Sequence, residues 1–178
     1  MVISSAVDAV KHNIAYIPPE RKVTGLYMHQ DIKQNIVAPS IKDFSHGWRM
    51  DAKQETDETQ AVIDRLKIRC QGMGVEVRSL SGGNQQKVLL GKWIRRKPKI
   101  IIINEPTRGV DVGTKSEIYK IMEELCEEGF GILMISSELP EVLALSDRVY
   151  VMCKGQITGE FQREELSQEK LMENAIGW

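Results

Sequence analysis

Apolar residues change their spacing several times along the chain, and these changes predict alternating strands and helices. Short apolar runs at residues 14–17, 100–103 and 130–135 have the length of strands, whereas apolar side chains at residues 118–125 follow helical spacing. The four isoleucines at 100–103 predict a central parallel strand that is buried on both faces. This alternation of strands and helices indicates an α/β sheet.

Residues 31–79 interrupt the alternation because they are largely polar, with a helix expected from Asp51 to Lys67. The other predicted elements are a helix at 85–96, a helix behind a capping box at 114–117, a short helix at 140–145, a hairpin at 148–161 and a last helix capped by Ser167.

The charge of the chain is nearly balanced, with 24 Lys and Arg against 25 Asp and Glu, which argues against a nucleic-acid surface. We expect the basic run at residues 92–97 to be a solvated helix face that complements the helix dipole. Cys70, Cys126 and Cys153 lack the CxxC spacing of zinc sites and predict reduced thiols in a cytosolic protein. No apolar stretch is long enough to cross a bilayer, so any membrane association is expected through a partner.

The string LSGGNQQK at residues 80–87 stands directly before a predicted helix. Ser81, Gly82 and Gly83 place a hydroxyl and two glycine amides at the helix N-terminus. Unpaired N–H groups and the helix dipole favour an anion there, and glycine lets a phosphate approach the backbone. An ordinary loop with a serine N-cap is the alternative interpretation of these three residues.

A second polar string follows the isoleucine strand. Asn104 and Glu105 come at its carboxyl end, where open α/β sheets place ligands, and Pro106 ends the pairing. A buried strand with a polar end is the alternative here. The two strings together, in this order and spacing, favour a functional site over both alternatives.

The chain resembles the ABC-type ATPases in these two strings and in three further ones. The further strings are YIPPERK at 16–22, EPTRGVDVG at 105–113 and SSELPEV at 136–142. The resemblance is to the second, C-terminal nucleotide-binding half of the sugar-importer ATPases of the ribose, galactose and xylose class. It covers nearly the whole chain. It implies a partial P-loop NTPase sheet flanked by helices, with a helical insertion before the signature loop.

The resemblance implies one partial nucleotide-binding domain over residues 1–178. Residues 1–30 and 80–161 would form part of the catalytic core, residues 31–79 the helical subdomain, and residues 162–178 the C-terminal helix.

The phosphate-binding P-loop of the family would lie upstream of Ile14, so the resemblance implies a chain truncated before it. The string at residues 109–116 imitates a P-loop, but Thr114 stands where a glycine is required, and we interpret Lys115 as a first-turn helix residue. We therefore expect the chain alone not to hydrolyse ATP, and to expose apolar sheet edges that favour self-association.

The resemblance also assigns roles to single residues. Glu105 corresponds to the catalytic glutamate, and Asn104 stands where an aspartate near Mg²⁺ is usual. Asp111 corresponds to the D-loop residue, and Ser137 stands where a switch histidine is usual. No metal site is expected in this chain alone. The signature residues that would contact, in trans, the ATP held by the partner half are Ser81, Gly82, Gly83 and Asn84.

The function implied is that of an ATP-binding component of a carbohydrate importer, with ATP and Mg²⁺ bound in the complete assembly. The implied partners are a second nucleotide-binding half, membrane permease subunits and, indirectly, a periplasmic or extracellular sugar-binding protein, with no nucleic acid. The chain would be cytoplasmic, on the inner face of the membrane through the permease. A non-hydrolytic donor of the signature loop and a non-functional truncated remnant remain alternatives.

Overall fold

The computed structural model describes residues 2–46 and 49–176 and divides into two compact units, Met1–Ile135 and Ser136–Trp178. The first unit contains, in chain order, helix α1 (Ala6–Lys11), strand β1 (Ile14–Ile17), a π-helical turn (Arg21–Gly25), helix α2 (Ile32–Val37), a 3₁₀ segment (Ala38–Phe44), strands β2 (Ser45–His46) and β3 (Arg49–Met50), helix α3 (Ala52–Arg65), a 3₁₀ turn (Val77–Ser79), helix α4 (Gly82–Ile94), strand β4 (Ile100–Asn104), helix α5 (Val112–Glu127) and strand β5 (Gly131–Ile135).

Strands β1, β4 and β5 form a parallel sheet in the order β1-β4-β5. Ile100 of β4 lies opposite Ile14 on one side and Gly131 on the other. Crossover segments that contain helices join the strands, as parallel pairing requires. The predicted α/β sheet is therefore confirmed, with β4 between the other two strands.

The two faces of this sheet differ in burial. Ala15, Ile17, Ile101 and Ile103 point to one face and are at most 1% exposed. The opposite face is open, and the exposed side chains there are Tyr16 (48%), Ile100 (40%), Leu133 (53%) and Ile135 (46%). The prediction that β4 is buried on both faces is therefore wrong in this structure, because its alternate side chains reach solvent.

The polar segment at residues 31–79 is predominantly helical, as predicted. Helix α3 is amphipathic, and its buried Val62 and Ile63 face α4 and α2, whose apolar residues complete a core. The backbones of α3 and α4 approach closely at Gly91, where a Cβ atom would lie 2.5 Å from Cγ1 of Val62. This packing holds α4, whose first residues belong to the LSGGNQQK string, against the helical segment.

Helix α5 begins earlier than the sequence analysis predicted. Its N-cap is Asp111, whose carboxylate accepts hydrogen bonds from the Thr114 amide at 3.0 Å and from the Thr114 hydroxyl at 2.8 Å. The predicted capping box at residues 114–117 is therefore wrong. An aspartate three residues before Thr114 satisfies the free amides first.

The second unit contains helix α6 (Leu139–Leu145), strands β6 (Arg148–Cys153) and β7 (Gln156–Gln162), a 3₁₀ turn (Arg163–Glu165) and helix α7 (Gln168–Ile176). Strands β6 and β7 form the predicted antiparallel hairpin, with a register shift at Val151 and Met152. The Ser167 hydroxyl accepts from the Lys170 amide at 3.3 Å, which confirms the predicted cap of the last helix.

Candidate functional site

The string LSGGNQQK at residues 80–87, here called the signature string, contains the start of helix α4. Ser81 is the N-cap of this helix. The exposed Ser81 hydroxyl accepts hydrogen bonds from the backbone amide of Asn84 at 3.4 Å and from its side-chain amide at 3.0 Å. The side-chain oxygen of Asn84, Oδ1, in turn accepts a hydrogen bond from the Arg69 backbone amide at 2.8 Å. Asn84 therefore uses both ends of its side chain to shape the loop.

The start of α4 has the electrostatic character of an anion site. The first amides of a helix have no intrahelical carbonyl to bind, and here they belong to Gly82, Gly83 and Asn84, of which the Asn84 amide is bonded to the Ser81 hydroxyl. The dipole of this 13-residue helix adds partial positive charge at the same end. The Ser81 hydroxyl stands beside these amides, so the arrangement can bind a phosphate group of an incoming ligand.

The two glycines of this loop also have a packing role that the sequence analysis missed. A Cβ atom at Gly83 would lie 2.3 Å from Cγ2 of Thr114, and a Cβ atom at Gly82 would lie 3.0 Å from the carbonyl oxygen of Gly109. Contacts this short leave no room for a side chain. The structure therefore brings residues 81–84 against residues 109–114, two segments that the sequence shows only as separate strings.

Asn104 and Glu105 lie at the carboxyl end of β4, as predicted. Asn104 is in register with Ile135 of β5, and the Glu105 amide donates to the Ile135 carbonyl at 2.7 Å. Glu105 itself has a φ of +50°, in the left-handed region that non-glycine residues seldom adopt. The backbone therefore turns sharply at the residue to which the family resemblance assigns the catalytic role.

The carboxylate of Asp111 is exposed and bonded within its own turn. The hydroxyl and then the amide of Thr114 lower the pKa of Asp111 by donating to its charged form. Lys115 follows in the first turn of α5, and its amide donates to the Asp111 carbonyl at 3.0 Å. Its position in the helix confirms that the P-loop-like string at residues 109–116 is a helix start.

Ser137 belongs to the second unit, where it lies between β5 and α6. The neighbouring Ser136 hydroxyl accepts from the Glu138 amide at 3.0 Å. The remaining candidate residues, 81–84, 104, 105 and 111, all belong to the first unit.

Helix α4 carries buried cations that the sequence analysis placed in solvent. Lys92 lies in the basic run at residues 92–97, is buried, and donates to the Gly25 carbonyl at 2.8 Å. Desolvation lowers its pKa. Arg95, whose side chain is 8% exposed, pairs with Glu58 at 2.6 Å. The expectation of a solvated basic face is therefore wrong for these two residues, because Gly25 and Tyr27 lie against the Lys92 ammonium group and the helical segment covers Arg95.

Lys87, the last residue of the signature string, is buried in the same way at 2% exposure. Its ammonium group donates to the Lys67 carbonyl at 3.1 Å and pairs with the Glu117 carboxylate of α5 at 2.7 Å. Lys87 thus joins the helical segment, the signature helix and α5. A cation among the apolar positions of α4 is the sequence signal that could have indicated this role.

Metal binding has little support from the side chains of this chain alone. In residues 2–46 and 49–176, no group of three or more His, Cys, Asp or Glu side chains is placed to hold a metal ion. Asn104 and Glu105 offer one neutral oxygen donor and one carboxylate. Mg²⁺ takes more oxygen ligands than these two residues offer.

No helix in the described part of the chain has both the length and the apolar character needed to span a bilayer.

Comparison with curated proteins finds close relatives among sugar import proteins. The chain is 49% identical to the ribose import ATP-binding protein of Streptococcus agalactiae serotype Ia, over 99% of this chain and 36% of the relative. It is 49% identical to the L-arabinose transport ATP-binding protein of Geobacillus stearothermophilus and 46% identical to the xylose import ATP-binding protein of Geobacillus kaustophilus, over 96% and 98% of this chain. The chain spans about a third of the length of these relatives.

Solved structures of ATP-binding cassettes have the same fold. One cassette of an ABC transporter superposes with a TM-score of 0.79 at 25% identity, over 98% of this chain and 72% of the cassette. A dimeric cassette described as a post-hydrolysis state with bound ADP and Pi superposes with a TM-score of 0.75 at 16% identity, over 91% of this chain and 68% of that chain. The sequence model of the ABC transporter family matches residues 3–108, and the chain therefore belongs to that family.

Proposed function

We propose that this chain is the signature-bearing part of the ATP-binding component of a carbohydrate importer, which couples ATP binding and hydrolysis to sugar uptake. The observation that carries this proposal is the start of α4, where the exposed Ser81 hydroxyl stands beside the Gly82 and Gly83 amides, a group of donors suited to an anion. The curated relatives support it, since their names assign them to ribose, arabinose and xylose import.

In this proposal the anion site acts on ATP held by the P-loop of a partner nucleotide-binding half. The Ser81 hydroxyl and the helix amides would donate hydrogen bonds to γ-phosphate oxygens. Asn84 would keep the serine in place through its 3.0 Å bond. Donors that are fixed before the phosphate arrives stabilise developing charge without reorganisation. Asp111, at the start of α5, would contact the partner half and couple the two nucleotide sites.

Glu105 would act in a different nucleotide site, the one completed by a P-loop joined to this chain. Its carboxylate would orient the attacking water, which is the main work left to a side chain in phosphoryl transfer. Asn104 would bind a metal-held water through its neutral carbonyl oxygen. Mg²⁺ would be held chiefly by the ATP phosphates and the P-loop segment, with Asn104 close to it.

The proposed partners follow from the same assignment. Permease subunits would hold the chain at the inner face of the membrane, and a periplasmic or extracellular binding protein would deliver the sugar to them. The choice of sugar would rest with those proteins.

A chimera tests the proposal. This chain would replace the aligned segment of the Streptococcus agalactiae ribose import protein, to which it is 49% identical, so that a complete polypeptide is obtained. Ser81→Arg places a long side chain where the phosphate must dock, and ATPase activity should fall at least about 100-fold. Ser4→Arg, at another exposed serine, is the control. Unchanged ATPase activity in folded Ser81→Arg protein contradicts the proposal.

The non-hydrolytic signature donor is the second candidate, and the neutral Asn104 favours it. Glu105→Gln in the chimera separates the two candidates. If this substitution leaves most of the ATPase activity, hydrolysis takes place at the partner site alone and the chain is a donor. A fall of about 100-fold or more indicates that Glu105 orients water in its own site.

A further inference from the structure

Arg21 is a buried arginine in the turn that follows β1. It begins the π-helical turn Arg21–Gly25 and is only 9% exposed. Desolvation lowers the pKa of its guanidinium and the neighbouring Glu20 opposes that effect, but an arginine stays protonated at neutral pH. A buried cation needs hydrogen-bond acceptors, and the acceptors that Arg21 uses are far away in the sequence.

The guanidinium binds two other segments at once. Nη1 donates to the Arg108 carbonyl at 2.6 Å and Nη2 to the Gly109 carbonyl at 3.0 Å, in the turn between β4 and α5. Nε donates to the side-chain oxygen of Gln85 in the signature helix at 3.5 Å. The planar, forked donor set of arginine suits such a bridge, and a lysine could not reproduce it.

The bridge continues to the residue before Ser81. The Gln85 side-chain amide donates to the Leu80 carbonyl at 3.0 Å. Gly82 packs directly against the Arg21 guanidinium, since a Cβ atom at position 82 would lie 2.8 Å from Nη2 of Arg21. The Arg21 side chain thus binds Gln85, lies against Gly82, and binds the turn that leads to Asp111.

A second pair strengthens the attachment to that turn. The Arg108 side chain pairs with Glu20 at 2.8 Å, while the Arg108 carbonyl accepts from Arg21. Two adjacent residues after β1 therefore bind Arg108: Glu20 pairs with its side chain, and Arg21 donates to its backbone carbonyl. The exposed pair contributes little by itself, whereas the part-buried bonds from Arg21 to the Arg108 and Gly109 carbonyls fix the geometry.

We propose that Arg21 is a positioning residue that makes the signature loop, residues 80–84, and the turn at residues 105–111 move as one body. This inference rests on the proposed function, in which the signature loop serves the partner's ATP and Glu105 serves the other site. Arg21 is then the link inside one chain through which a change at one nucleotide site reaches the other. In this proposal Arg21 acts through these two segments.

Hydrogen exchange on the full chain tests the link without any nucleotide. The reporters are the amides of Gln85 and Val110, which are bonded to the carbonyls of Ser81 and Thr107. Arg21→Met should raise exchange at both reporters about tenfold, because loss of the bonds frees both segments. Arg21→Lys, which keeps the charge, should give intermediate rates at both.

Arg65→Met is the matched control, since Arg65 makes an exposed pair with Glu128 away from the loop. It should leave both reporters unchanged. Faster exchange at only one reporter in Arg21→Met, or an equal rise throughout α3 and α4, overturns the proposal. The first outcome shows no coupling, and the second shows general loss of stability.

The chimera supplies a functional readout. Arg21→Met should lower kcat for ATP hydrolysis at least about tenfold with little change in KM, because the P-loop binds ATP and the signature loop acts at closure. Added to Ser81→Arg, it should cause no further loss. A fall in kcat for Ser81→Arg but not for Arg21→Met overturns this inference and leaves the proposed function intact. No effect of Ser81→Arg is failure of the proposed function itself.

Discussion

Gly83 packs so closely on Thr114 that a Cβ atom at position 83 would lie 2.3 Å from the threonine Cγ2 and 2.9 Å from its hydroxyl oxygen. That hydroxyl also donates to Asp111, so the contact joins the signature loop to the N-cap of α5. Gly83 is therefore required by the fold of this chain, apart from the proposed approach of a phosphate.

Gly83→Ala should destabilise the chain by about 1–3 kcal/mol, because the new methyl group displaces Thr114 and strains the cap. Urea unfolding measures the change. Gly74→Ala is the control, since a Cβ atom there meets nothing within 4 Å, and it should change stability by less than about 0.5 kcal/mol. Equal stability of the two variants would show that the contact is not tight in solution.

Gly91→Ala offers a second test of packing, in which the expected change in stability is opposite in sign to that of an ordinary glycine-to-alanine substitution in a helix. Glycine to alanine in a helix interior normally stabilises by about 1 kcal/mol. Here the methyl group would meet Val62 at 2.5 Å and Leu66 at 3.2 Å, so Gly91→Ala should destabilise by about 1–3 kcal/mol. Adding Val62→Ala should recover part of the loss, and a double-mutant cycle measures the coupling. Strict additivity would contradict the close approach of α3 and α4.

The ion pair between Lys87 of α4 and Glu117 of α5 predicts a lowered pKa for the Glu117 carboxyl. A hydrogen bond from Lys87, together with the charge of Lys87, lowers the pKa of Glu117 below its ordinary value of 4.5. The folded carboxyl therefore binds its proton less readily than the unfolded one. Its contribution to stability is present above the unfolded pKa and is lost as the pH falls through the folded value.

Lys87→Met should return the pKa of Glu117 towards 4.5, as measured by NMR titration of its side-chain carboxyl carbon. Lys120→Met is the control, because Lys120 is exposed and pairs with Glu124. A Glu117 titration that is the same in wild type and Lys87→Met would show that the pair does not form.

The open face of the sheet should drive self-association of the isolated chain. Among the described residues β5 pairs only with β4, and Leu133 and Ile135 stand exposed on it without a charged neighbour in the strand. Leu133→Glu should shift the population towards monomer in sedimentation velocity. Val23→Glu, at a side chain that is 79% exposed outside the sheet, should not. A wild-type chain that stays monomeric at high concentration would refute this prediction.

The isolated chain should release no phosphate from ATP above the rate of its Glu105→Gln variant. Positioning and neutralisation of the β- and γ-phosphates supply nearly all of phosphoryl-transfer catalysis, and the sequence contains no P-loop to provide them. Steady-state phosphate release from both purified proteins measures the difference. Turnover well above the variant would require a phosphate ligand within this chain, and Lys115 would be the first to test.

Local patterns in the sequence were sufficient for most elements and for the two candidate strings. The isoleucine run predicted β4, the amphipathic pattern after Asp51 predicted α3, and both appear within two residues of the predicted bounds. Such signals are local because backbone geometry repeats every two or every 3.6 residues. The signature string and the Asn104-Glu105 pair are also contiguous, so their positions at the start of a helix and at the carboxyl end of a strand could be inferred directly.

Only the tertiary structure decided which of these segments touch and which charges are buried. Arg21 binds Gln85 and Arg108, which are 64 and 87 positions away, and Lys87 pairs with Glu117 across two helices. The same holds for the open face of β4, which a run of four isoleucines could not distinguish from a buried one. The physical reason is that burial and pairing depend on what the rest of the chain places nearby, and hydrophobic periodicity carries no information about that.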